Sequence, residues 1–261
     1  MKTVVLVKQV PAVSDIEISP ADHNLVRVGA PSQLNPVDVH AIEAALAVKD
    51  QAGGEVILIT MGTALAGEIL REGIAMGADR GILASDERMA GSDTLATGRI
   101  LAAAIAKLGD VDLVFTGKRS SDGDTGQIPP AIAQLLHMNL LSYADEVDLN
   151  DNVLTGVRDN RGGRETLTVP LPAVVSVTEK CNTPRAPKIK GKMAAKKAVF
   201  DVWRLEDLGL APEKAGKAGS ATKVTELFPP EPAPVGQKIT GGTAAEMAAN
   251  LVRELRTRNL V

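Results

Sequence analysis

Thr116-Gly-Lys-Arg-Ser-Ser-Asp-Gly-Asp-Thr-Gly-Gln-Ile-Pro-Pro-Ala131 is the stretch on which the fold is decided. It follows the apolar run Val111 to Phe115 and leads into an apolar-periodic segment with Ile132, Leu135 and Leu136. It therefore reads as strand, polar glycine loop and helix start. That order makes a phosphate cradle: small residues let backbone N–H groups approach an anion, and the helix N-terminus adds partial positive charge. The spacing is neither Walker A nor G-x-G-x-x-G, so the loop alone does not name its ligand. Asp124 and Gln127 resemble a capping box, but a helix begun at Asp124 would hold Pro129 in its interior, where the ring clashes. The predicted helix start is therefore near Pro129, leaving Gly123, Thr125, Gly126 and Gln127 as backbone donors in the loop.

Working outward, the chain before this loop alternates strands and helices. Thr3 to Val7 is a β-branched run suited to a buried central strand. Asp15–Ile18 and Leu25–Val28 alternate apolar and polar and read as a hairpin excursion. Asn35-Pro36 starts a helix, with Asn able to cap and Pro suited to the first turn. Val56 to Thr60 is a second strand, Ala64 to Met76 a second helix ending at Gly77, Gly81 to Ala84 a third strand, and Gly91-Ser-Asp-Thr94 opens a third helix. Together these predict an α/β fold with a doubly wound parallel sheet. Ligands of such sheets sit beyond the carboxyl ends of the strands at a topological switch point. The candidate walls are then Leu6 to Lys8, Asn35 to Asp38, Met61-Gly62, Ser92 to Thr94 and Gly117 to Ala131.

Composition narrows the function classes. The 261 residues carry a net charge of −3 and 44% hydrophobic content, as in an ordinary globular protein rather than a basic nucleic-acid binder. Aromatics make up 2%, so base-stacking platforms are not expected. One cysteine excludes an internal disulfide and a cysteine zinc cluster, and His23, His40 and His137 have no ligand spacing. No apolar run is long enough to span a bilayer, and the apolar stretch after Met1 is too short for a signal peptide, so a cytoplasmic location is expected. Past residue 185 the character changes. Pro187 to Lys197 is basic, Phe228 to Val235 is proline-rich, and Thr243 opens an amphipathic helix through Ala248, Leu251, Val252 and Leu255. The expected organisation is a nucleotide-binding domain over 1–185 and, over 186–261, an arm that ends in a helix and packs on another chain or back on the sheet.

Asp122-Gly-Asp-Thr-Gly-Gln127 after Gly117-Lys118 resembles the nucleotide loop of electron transfer flavoprotein beta subunits, in the variant of electron-bifurcating and nitrogen-fixation-associated members. Val7–Pro11, Asn35-Pro36, Met76–Asp79, Asp93–Thr97, Val157–Leu167 and Leu171–Ser176 resemble family positions in family order. Glu179-Lys-Cys-Asn-Thr-Pro-Arg185 is similar to the start of the family's recognition loop, with Cys181 at the anchor position and Asn182, Pro184 and Arg185 beside it. The resemblance implies an adenine-nucleotide-binding type of sheet whose cofactor is held by Leu6, Lys8, Asn35, Asp38, Met61, Asp93, Thr94, Thr97, Gly117, Lys118, Asp122, Gly123, Asp124, Thr125, Gly126, Gln127 and Ala131, with no catalytic side chain and no metal. The common family form has an aspartate where Gly123 stands and binds AMP; glycine removes a charge and opens room, which favours FAD. Pro129 stands where this variant usually has glycine, and so withholds one N–H.

Also implied are an alpha subunit as partner, an acyl-CoA dehydrogenase-type flavoenzyme, ferredoxin or flavodoxin as low-potential acceptor, and NADH as electron donor if the pair of electrons is bifurcated. Two alternatives are compatible with the same residues: a non-bifurcating beta subunit with structural AMP, and a stand-alone adenine-nucleotide-binding regulatory domain. Neither nucleic acid nor membrane insertion is expected.

Overall fold

The computed structural model describes residues 1–12, 31–151, 153–226, 228 and 235–261. The hairpin read over Asp15–Val28 and most of the proline-rich segment lie outside the described residues. Two compact units divide the chain, Met1–Thr225 and Glu226–Val261.

The first unit begins with β1 (Lys2–Leu6), followed by the short antiparallel pair β2 (Gln9–Pro11) and β3 (Ser32–Leu34). Helix α1 (Pro36–Ala52) has its proline in the first turn and Gly53 just past its end. Then come β4 (Glu55–Met61), a single 3₁₀ turn at Ala64–Ala66, α2 (Gly67–Met76) and β5 (Arg80–Ala84). Helix α3 (Thr94–Leu108) leads to β6 (Leu113–Gly117), the strand before the glycine loop. Helix α4 (Ile128–Leu136) starts at Ile128, with Pro129 and Pro130 in its first turn, where no intrahelical donor is required of them.

Beyond α4 the chain departs from simple alternation. Strand β7 (Asn139–Ala144) is followed by a three-stranded antiparallel sheet of β8 (Glu146–Asn150), β9 (Val153–Asn160) and β10 (Gly163–Pro170), and then by β11 (Ala173–Val177). Helix α5 (Ile189–Lys197), β12 (Asp201–Trp203) and the single turn α6 (Gly216–Gly219) complete the unit. Residues 186–225, read from composition as the start of an arm, thus lie in the first unit. Strand β12 pairs with β5, and α5 presses so closely on α2 that a Cβ at Gly191 would lie 2.2 Å from the Ala75 carbonyl oxygen.

The main sheet has seven parallel strands in the order β12-β5-β4-β1-β6-β11-β7. Both faces of its inner strands are covered, so these strands are largely apolar and split their side chains by parity. Val5, Leu58, Phe115 and Val175 pack with α1 and α2 residues such as Ile42 and Leu70. Val4, Ile57, Val114 and Val174 pack with Leu101 and Ile105 of α3 and Ile132 of α4 on the other face. The chain winds outward from β1 through β4 to β5, then crosses back through α3 to β6, so the switch point lies between β1 and β6.

The second unit contains α7 (Ala244–Thr257), which begins with a capping box between Thr243 and Glu246. Met247, Leu251 and Val252 are exposed along it.

Candidate functional site

The carboxyl ends of β1 and β6 are riveted together by one carboxylate. Asp38 is buried in the first turn of α1. Its Oδ2 accepts the Lys8 N–H at 2.8 Å, and its Oδ1 accepts the Gly117 N–H at 3.2 Å and the Asn35 amide at 2.9 Å. Burial pushes the Asp38 carboxyl up to about 7, against the pull of those donors and of the Lys8 ammonium. The fit leaves no room for a side chain at Gly117, where a Cβ would lie 2.4 Å from Asp38 Oδ1.

Asn35 extends this rivet into the glycine loop. Its amide donates to the Arg119 carbonyl at 3.0 Å and its oxygen accepts the Ser121 N–H at 3.1 Å. Asn35 makes no side-chain cap on α1, the role its position before Pro36 suggested; its polar atoms are spent on the loop and on Asp38 instead.

The loop is pinned at several further points. Lys8 Nζ meets Asp122 Oδ1 at 2.6 Å and Ser120 Oγ at 3.2 Å. Burial raises the Asp122 carboxyl, but Lys8 and Ser120 outweigh it and hold the group below its usual range. Arg119 pairs with Asp124 at 2.9 Å, and Lys118 with Glu179 at 2.7 Å. Thr94 donates to Gln127 Oε1 at 2.7 Å, which ties the end of the loop to α3. Asp124 and Gly126 have positive φ, 50° and 62°.

Among the described residues, the N–H groups of Thr125, Gly126, Gln127 and Ile128 meet no protein acceptor. These consecutive donors stand at the start of α4, beside the cations of Lys8 and Arg119, in an arrangement suited to an anion. Gly123 is exposed, and a Cβ there would meet only Ser120 Oγ at 3.5 Å and Lys8 Nζ at 3.8 Å. Space, donors and positive charge are thus compatible with the phosphates of a nucleotide.

Several residues expected at the mouth also do structural work. Leu6 and Met61 pack in the apolar core. Asp93 caps α3, accepting the Ala96 N–H at 3.0 Å, and also takes the Thr222 N–H at 2.9 Å and hydroxyl at 3.0 Å. With the Ala96 N–H as the main cause, its carboxyl is held down to about 2. Thr97 donates its N–H to the Asp93 carbonyl within α3, and Ala131 packs on Gly98 of the same helix. Thr222 carries no signal in the sequence, because its partner Asp93 is 129 residues away; Arg119 and Ser120 lie inside the loop, with Arg119 paired locally to Asp124 and Ser120 reached by Lys8 from the far end of the chain.

The expected partner-binding residues take up internal work. Asn182 donates to the His40 carbonyl at 2.9 Å, and Arg185 grips Glu43 at 2.9 Å and Asp50 at 2.9 Å, which fastens the chain after β11 to α1. Pro184 is half-buried beside them. Cys181 is half-buried against the core, and burial pushes its thiol up to about 11. Exposed apolar side chains follow on α5, where Ile189 and Met193, 80% and 58% exposed, are surrounded by lysines, and just past it at Val199.

The described residues contain neither a helix long and apolar enough to cross a membrane nor a His/Cys/Asp/Glu group able to hold a metal ion. Comparison with known proteins finds a match to the electron transfer flavoprotein domain over residues 22–208. The caffeyl-CoA reductase-Etf complex subunit CarD of Acetobacterium woodii is 40% identical over 262 residues, covering all of both chains. An electron transfer flavoprotein subunit beta of Thermoanaerobacterium thermosaccharolyticum is 36% identical over 262 residues, again covering all of both. Protein FixA of Azorhizobium caulinodans is 40% identical over 238 residues, 88% of this chain and 85% of the relative.

Proposed function

The chain belongs to the electron transfer flavoprotein family as a beta-type subunit, and from that premise we propose that its sheet mouth seats FAD for electron bifurcation. The stand-alone regulatory domain is thereby set aside. In this reading an alpha subunit completes the heterodimer, NADH is the donor, and an acyl-CoA dehydrogenase-type flavoenzyme and a ferredoxin or flavodoxin receive the electrons. When bound, such a flavin would supply hydride-accepting and one-electron redox chemistry.

The chain's own residues bind and orient. Thr125, Gly126, Gln127 and Ile128 offer N–H groups to the pyrophosphate, and Lys8 and Arg119 supply countercharge already tempered by Asp122 and Asp124. Asp38 and Asn35 hold the two strand ends and the loop in register. The relative CarD carries the name of a caffeyl-CoA reductase complex, and exposed Ile189 and Met193 amid lysines suit docking of a flavoenzyme partner with an apolar and acidic face.

The observation that carries the reading is the open position at Gly123 beside four consecutive free N–H groups. Its test is to purify the chain with its partner subunit, release the cofactors by denaturation and count them. Two FAD per heterodimer supports the proposal, one FAD with one AMP favours the non-bifurcating alternative, and no nucleotide in this chain defeats both.

Gly123→Asp is expected to fold normally, because the position is open and Lys8 is near enough to receive the new carboxylate. It adds a negative charge beside a pyrophosphate, so FAD retention should drop about tenfold while the melting temperature of the nucleotide-free protein stays the same. Equal FAD occupancy in wild type and variant would rule out the role assigned to Gly123.

A further inference from the structure

Tyr143 stands at the carboxyl end of β7 in a conformation that the sheet does not require. The register between β7 and β11 shifts here, from Val175 opposite Leu141 to Val177 opposite Ala144, so Ser142 and Tyr143 together face Ser176. Tyr143 has a φ of 59°, and its N–H donates to the Ser176 hydroxyl at 2.9 Å rather than to a backbone carbonyl. Bulges of this kind re-aim a side chain, and a bulky residue in left-handed backbone persists only where its surroundings hold it.

The re-aimed ring lies over the glycine loop. A Cβ at Gly126 would meet Tyr143 Oη at 2.6 Å and Cζ at 3.8 Å. Tyrosine hydroxyl and glycine are fitted to one another, yet the hydroxyl has no hydrogen-bond partner among the described residues and the residue is 44% exposed. A phenol carries a donor and an acceptor, and this one is placed directly beside the free N–H groups of Thr125 to Ile128. The donor set is also short. Pro129 and Pro130 have no N–H, so α4 offers an anion only the Ile128 donor from its first three positions.

We propose that Tyr143 contacts the bound nucleotide, its hydroxyl donating to a phosphate oxygen held over Gly126 and making up for a donor that the two prolines withhold. The inference rests on the nucleotide reading above. Ser176 acts through Tyr143 as a positioning residue.

The test uses the full chain with its partner subunit, stripped of nucleotide and titrated with FAD, AMP and adenosine. Tyr143→Phe removes only the hydroxyl. It should weaken FAD and AMP by about tenfold or more, as expected for one lost hydrogen bond to a charged group, and leave adenosine and the melting temperature of the stripped complex unchanged. Gly126→Ala should weaken FAD binding in the tyrosine background and less so in the Tyr143→Phe background, where the offending oxygen is gone. Wild-type affinity in Tyr143→Phe, or a fall in melting temperature that accounts for the loss, would overturn this inference alone. A wild-type complex that binds neither FAD nor AMP would overturn the nucleotide reading, and this inference with it.

Discussion

Asp38→Ala is expected to be among the most damaging single changes outside the apolar core. The carboxylate accepts from the Lys8 and Gly117 N–H groups and from the Asn35 amide, and alanine leaves the buried Gly117 donor and the part-buried Lys8 donor with nothing to receive them. A buried donor left unsatisfied costs about 1–3 kcal/mol, so the pair together with the lost volume implies roughly 4 kcal/mol. For a unit of this size that lowers the thermal midpoint by about 10 °C. The nucleotide should be lost as well, because the same carboxylate sets the spacing of the two strand ends that flank the loop. Thermal unfolding followed by circular dichroism, together with cofactor retention after gel filtration, checks both outcomes. A midpoint within about 2 °C of wild type would refute the riveting role.

The same residue gives the wild-type protein a pH signature. Burial raises the Asp38 pKa from its ordinary value of 3.8 to about 7 in the folded state. Between those values the native protein holds a proton that the unfolded chain has released, so stability is highest at the acid side of the window and falls as pH rises toward 7. A shift of this size corresponds to about 4 kcal/mol across the window. Asp93, Asp122 and Glu179 are shifted the opposite way, so their contributions grow as pH rises and are complete by about pH 5. Melting temperatures between pH 5 and pH 8 should decline in the wild type and run flatter in Asp38→Asn, which has nothing to titrate. Parallel curves for the two proteins would place the slope elsewhere.

Gly117→Ala is the second change expected to be severe. The added carbon would lie 2.4 Å from Asp38 Oδ1 and 3.1 Å from Val37 Cβ, and neither can retreat, because Asp38 is held by its three donors and Val37 is buried. The first turn of α1 must move off the end of β6, with a cost of about 3 kcal/mol or more from overpacking and broken hydrogen bonds. Little soluble protein, or soluble protein without nucleotide, is the expected result. A double-mutant cycle separates contact from coincidence: in the Asp38→Ala background the clash with the carboxylate is gone, so the further penalty from Gly117→Ala should be smaller by at least about 1 kcal/mol. Strict additivity of the two changes would show that the steric account is wrong.

Much of this architecture is legible in the residues taken one after another. Apolar β-branched runs mark β1, β4 and β6, Asn35-Pro36 and Ser92-Asp93-Thr94 mark helix starts, and Pro129-Pro130 forces α4 to begin after the glycine loop and not within it. These are preferences of the local backbone, satisfied or violated within a few residues, so sequence alone determined the parallel sheet, the position of its mouth and the loop that floors it.

Tertiary structure decided the rest. The insertion of β11 between β6 and β7, the separate sheet of β8 to β10, and the return of α5 and β12 to the first unit depend on which apolar faces meet across long stretches of chain. Asn35 looked like a cap and became a tether for the loop, because its neighbours in space are Asp38, Arg119 and Ser121. Tyr143 looked like any strand residue until a one-residue bulge turned its hydroxyl onto Gly126. A side chain's work is set by the donors and acceptors that strand register brings beside it, and register is a property of the packed sheet that no short stretch of sequence contains.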